Sequence, residues 1–113
     1  MNETNNAPLT GKYAKLRDDL IFALRDTYDL ESTEDGGTCN FDSPVLNLPR
    51  WNADKLQRAM REAGARAWRW HSSMWVIVFS SSGQGNRRSR RAEAIYRKLK
   101  ELGYDAFMYY QMD

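Results

Sequence analysis

Four arginines, Arg87, Arg88, Arg90 and Arg91, crowd the start of a segment whose pattern turns helical. They follow Ser80-Ser-Ser-Gly-Gln-Gly-Asn86, so glycines, bare backbone N–H groups and guanidinium groups meet where a helix begins. That combination can hold a phosphate or a carboxylate. Its plainer reading is a solvated basic turn. Cations at this position oppose the helix dipole, at roughly 0.3–1 kcal/mol each on an exposed surface. The four side chains are therefore expected to serve an anionic partner more than the fold. Gly-Gln-Gly lacks the lysine and the spacing of a P-loop, so no nucleotide site is read here.

Other reactive residues are sparse. The single histidine, His71, falls at a turn between two strand-like runs, and the single cysteine, Cys39, lies in a different segment. Nothing in their placement makes a base–nucleophile pair. No Cys/His cluster has zinc-ligand spacing. Glu34, Asp35 and Asp42 have the oxygen ligands a hard cation needs, but an acidic loop is ordinarily just solvated. The expectation is a protein that is no enzyme and carries no cofactor or metal.

The elements that must position the arginines follow from residue patterning. Ala65–His71 and Met74–Ser80 are rich in aromatic and β-branched residues and are separated only by Ser72-Ser73, which predicts a hairpin, although a longer turn from His71 to Met74 also fits. With that turn, Trp70 faces Trp75, Trp68 faces Ile77 and Arg66 faces Phe79 on one side of the sheet. Ala65, Ala67, Val76 and Val78 occupy the other side, with Arg69, His71 and Met74 towards the turn. Both sides are largely apolar, so a cover on each is expected. Beyond the arginines, Ala92, Ile95, Leu99 and Leu102 recur as one helical stripe. Gly103 suits the left-handed position after that helix, and Tyr104–Tyr110 reads as a final strand.

Residues 1–7 are polar and expected to fray. Pro8 to Leu30 is predicted helical, with Tyr13, Leu16, Leu20, Ile21, Leu24 and Tyr28 on its apolar face. Glu31-Ser-Thr-Glu-Asp-Gly-Gly37 is an acidic, turn-forming linker. Thr38 to Leu48 reads as a strand in which Pro44 marks an edge, a bulge or a late start at Val45. Asn52 caps a further helix with Leu56, Met60 and Ala63 as its stripe, and Gly64 closes it. The chain 1–113 is thus expected to be a single α+β domain: an N-terminal helix, then β-α-β-β-α-β with a four-stranded antiparallel sheet. Over residues 38–110 this element order resembles the ferredoxin-like, or split βαβ, pattern. In that pattern strand 65–71 is an edge, where Arg66 and Arg69 would discourage pairing with other chains. Helix 8–30 is expected to cover the spare sheet face, and the alternative is a face left open.

At 113 residues, 42% hydrophobic and 28% charged, the chain has the composition of an ordinary soluble domain large enough for a core. No apolar run approaches a membrane span, and Met-Asn-Glu-Thr-Asn-Asn does not read as a signal peptide. One cysteine fits a reducing compartment and predicts a cytoplasmic location. Residues 1–48 hold four basic and nine acidic side chains, a balance of −5, whereas residues 49–113 hold thirteen and six, a balance of +7. Such polarity serves either a partner or internal complementarity.

Ferredoxin-like sheets can resemble the RNA recognition motif, in which aromatics on an open face stack bases. Trp68, Trp70 and Trp75 are candidates for that role, flanked by Arg66 and the 87–91 cluster, although Met74–Ser80 lacks the Lys/Arg-Gly-aromatic opening of that motif. The stretch from Thr33 to Trp51, centred on Gly36-Gly37-Thr38-Cys39-Asn40-Phe41-Asp42, resembles small uncharacterised proteins carried by bacterial mobile elements. That resemblance implies a defence inhibitor of the anti-CRISPR kind. The expected function is therefore a small non-catalytic binding protein, a modulator or inhibitor of a nucleic-acid-handling complex. It would contact its partner through Arg87, Arg88, Arg90, Arg91, Arg66 and Arg69. The alternative is direct RNA or DNA binding through the arginines and the sheet aromatics.

Overall fold

The structure, a computed structural model, describes residues 7–28, 42–79 and 86–110, with the side chains of 86–89 outside the description. Linker 31–37, Cys39, Glu34, Asp35, the glycine-containing loop 80–85 and the expected fraying of residues 1–6 therefore fall outside the described residues. So does the start of the strand expected from Thr38. Three helices and a four-stranded antiparallel sheet are present: α1 Gly11–Asp26, β1 Ser43–Asn47, α2 Ala53–Glu62, β2 Ala65–His71, β3 Met74–Phe79, α3 Asn86–Glu101 and β4 Ala106–Tyr109. The strands lie in the order β2-β3-β1-β4.

Local signals set most of the boundaries. Asn52 caps α2, its side chain accepting from Lys55 N at 2.9 Å. Gly64 and Gly103 follow α2 and α3 with φ of 87° and 103°, conformations that a Cβ disfavours. Helix α1 is shorter at both ends than the expected 8–30 span. Pro44 does not mark an edge, because β1 is an inner strand. The proline is accommodated by the late start: the β1–β3 ladder begins only at Val45, and Pro44 pairs with Met108 of β4.

The hairpin register differs from the expected one. His71 pairs with Met74 across the Ser72-Ser73 turn, but Arg69 pairs with Trp75, so Trp70 is the extra residue of a β-bulge. Beyond it the pairs are Trp68–Val76, Ala67–Ile77 and Ala65–Phe79. A slip of one residue exchanges the two faces of a strand. Trp75, Ile77 and Phe79 consequently join Ala65 and Ala67 on one side, whereas Arg66, Trp68 and Trp70 share the other side with Val76 and Val78.

Only the first of these sides is covered by helices. Leu46, Ala65, Ala67, Trp75, Ile77, Phe79 and Ala106 form one core with Leu56, Ala59 and Met60 of α2 and Ala92, Ile95 and Leu99 of α3. Leu16, Leu20 and Ala23 of α1 belong to that same core, and α1 packs against α2 and α3. The expectation that α1 would cover the spare sheet face is corrected. Its buried stripe is narrow and fits between two helices, and polar bonds fix it there. Tyr13 Oη accepts from Asn52 N at 2.9 Å, Tyr104 Oη donates to Asp19 at 2.7 Å, and Lys98 pairs with Asp26 at 2.9 Å.

Strand β2 does lie at a sheet edge, as the element order led one to expect. Gln57 of α2 donates to the outward carbonyl of Ala67 at 2.9 Å, which satisfies part of that edge.

Candidate functional site

The helix-free face is built from alternate residues of all four strands. One row runs Trp68, Val76, Val45 and Phe107 across β2, β3, β1 and β4. Arg66 and Val78 continue the face on β2 and β3, as do Ser43 and Tyr109 on β1 and β4. Trp68 and Trp70 lean inward from one edge and meet Tyr109 from the other, with ring centroids 5.6 and 5.0 Å apart and edge-to-face geometry. Beneath them Val45 and Val76 are 0% and 1% exposed. The outer surfaces of the two indole rings remain open. Trp68, Trp70 and Phe107 are 41%, 43% and 42% exposed. Tyr110, the residue after β4, is exposed too.

Polar groups bound this apolar strip at opposite ends. Arg66 stands exposed where β2 begins and β4 ends. At the other end, Ser73 Oγ donates to Asn47 Oδ1, and Asn47 Nδ2 donates to Asp105 Oδ2 at 3.0 Å. His71, on the turn side, is exposed and stacks edgewise on Trp70.

The six arginines expected at the site are not gathered into one patch. Arg66 lies on the helix-free face, but Arg69 lies on the helical side, its guanidinium 5.0 Å from the ring centre of Trp75. Arg90 is exposed near the start of α3. The backbone of Arg87 and Arg88 is helical, and their side chains fall outside the described residues.

Arg91 is turned inward. It is 5% exposed, donates through Nη2 to Leu24 O at 2.9 Å and through Nε to Thr27 Oγ1 at 3.3 Å, and lies over the rings of Phe79 and Tyr28. Burial pushes its guanidinium pKa down, partly offset by Tyr28. Its bond to Leu24 satisfies one of the carbonyls that the last turn of α1 leaves without an intrahelical partner. This arginine therefore belongs to the fold.

Sequence reasoning missed Phe107, Tyr109, Asp105 and Asn47. Alternation in Ala106–Tyr109 marks Phe107 and Tyr109 as one face, but only the register with β1 shows which face that is.

Among the described residues, no group of three His, Cys, Asp or Glu is placed to hold a metal ion, and no helix is long and apolar enough to cross a membrane. No protein-family model, curated protein or solved structure matches the chain.

Proposed function

We propose that the protein is a non-catalytic, ferredoxin-like binding domain whose helix-free sheet face takes single-stranded nucleic acid. The observation that carries this reading is the open strip of Trp68, Trp70 and Phe107 with Arg66 beside it. Bases stack on exposed aromatic rings whatever their identity, and a guanidinium at the strip's end neutralises a phosphate. The strand order β2-β3-β1-β4, with three helices confined to one side, supports the ferredoxin-like assignment. A cytoplasmic location fits such a ligand.

Fluorescence anisotropy of dye-labelled oligonucleotides tests the reading. Stacking on an aromatic side chain is worth roughly 1–3 kcal/mol per base, so Trp68→Ala with Trp70→Ala should weaken binding by at least about tenfold. Log affinity should fall with log salt by about 0.7 per phosphate contacted. Undiminished binding by the double variant would refute the assignment of the face.

A second reading has its own support. Exposed tryptophans and arginine are also the residues that dominate protein interfaces. In it the same face docks onto a protein of a nucleic-acid-handling complex, as an inhibitor of the mobile-element kind would. Oligonucleotides would then fail to bind at any salt concentration.

A further inference from the structure

Resting on the nucleic-acid reading, we infer that Phe107 and Asp105 form a base-specific subsite for guanine. The two residues stand two apart on one strand, and Asp105 shares the helix-free face because its carboxylate meets Asn47 there. Alternate residues of a strand are about 6.5–7 Å apart. A purine stacked on the open ring of Phe107 spans that distance, with its Watson–Crick edge turned to the carboxylate. Among the described residues, the one hydrogen bond to this carboxylate is that from Asn47 Nδ2 to Oδ2. Oδ1 is left to accept, and each carboxylate oxygen has two lone pairs.

An ionised carboxylate only accepts hydrogen bonds, and guanine alone offers two parallel donors, N1–H and the N2 amino group, on its Watson–Crick edge. Uracil offers one donor between two carbonyl oxygens, which the carboxylate would repel. Adenine and cytosine offer a single amino donor beside a ring nitrogen acceptor. The Ser73–Asn47–Asp105 chain holds the carboxylate in place: the Asn47 amide is fixed by Ser73 Oγ, so its Nδ2 is the group that faces Asp105. Arg66, at the far end of the face, carries the opposite charge and suits backbone phosphate instead.

The test compares oligouridylate with the same strand carrying one guanosine, one inosine or one adenosine, using wild-type protein and Asp105→Asn. A bidentate pair discriminates by about 1–3 kcal/mol, so guanosine should improve affinity roughly tenfold over uridine, and inosine, which lacks the amino group, should recover only part of that gain. In Asp105→Asn the guanosine preference should vanish while affinity for oligouridylate stays level or rises. Equal affinity of the wild type for all four strands would overturn the guanine subsite and leave the stacking face intact. So would a guanosine preference that survives Asp105→Asn in a variant with wild-type circular dichroism. Failure of every strand to bind would overturn the nucleic-acid reading and the subsite with it.

Discussion

The guanidinium of Arg91 donates to the carbonyl oxygen of Leu24 at 2.9 Å, so a residue of the arginine cluster holds the C-terminal end of α1. Its Nε reaches Thr27 as well, and its plane lies over Phe79 at the end of β3. Three elements therefore meet at one cation. Arg91→Gln should lower the unfolding free energy by about 1.5–3 kcal/mol, the range for hydrogen bonds to charged groups, as read by urea denaturation. Arg97→Gln, on the exposed side of α3, should change it by no more than about 0.5 kcal/mol. Equal effects of the two would deny Arg91 its structural role.

Helix α1 is part of the core. Leu20 is fully buried with residues of α2, α3 and the sheet, so Leu20→Ala should cost about 2–5 kcal/mol. Phe22 is half exposed and sits 5.2 Å from the ammonium of Lys98, so Phe22→Ala should cost about 1 kcal/mol or less. Thermal or chemical denaturation of both variants checks the contrast.

Tyr104 ties β4 to α1 through Asp19, which also receives Lys15 at 2.7 Å. Burial, then the hydrogen bond to Asp19, raises the pKa of this phenol well above its ordinary value. A group with a raised folded-state pKa stabilises fully below its unfolded value and loses that contribution as pH climbs past it. Stability should thus decline above about pH 10 through this residue, and Tyr104→Phe should flatten the decline. Melting temperatures collected across the alkaline range give the comparison.

At the opposite limit, the Glu62 carboxylate accepts from Arg58 and Arg17, which hold its pKa below the usual carboxylate range. Its contribution is present above about pH 4.5 and fades as pH falls through the depressed value. Glu62→Gln should shrink the acid-induced loss of stability, measured by circular dichroism during an acid titration.

What could be read in the sequence was local. Asn52 before α2, Gly64 and Gly103 after α2 and α3, and the stripe Ala92–Ile95–Leu99 each follow from chain-neighbour chemistry, and each holds in the structure. Strand β2 was legible as an edge from the strand order that the β-α-β-β-α-β element order implies. The bulge at Trp70 was not, because Ser72-Ser73 fits the turn with or without it, and the register is decided by which residues the helices bury. That one shift moved Trp68 and Trp70 away from Trp75. The side on which α1 packs was equally hidden, since its stripe suits a sheet or a pair of helices. Arg91 differs from Arg90 only by facing α1, a contact between residues 67 apart in sequence.

The indole N–H resonances of the four tryptophans test the central claim most directly, because the fold separates them. Trp68 and Trp70 lie on the helix-free face, Trp75 is in the core, and Trp51 packs on Tyr13 at the junction of α1 and α2. Titrating the labelled protein with a single-stranded oligonucleotide should shift the Trp68 and Trp70 signals and leave those of Trp51 and Trp75 in place. Shifts at Trp51 with Trp68 and Trp70 unmoved, or no shift at all, would contradict the account.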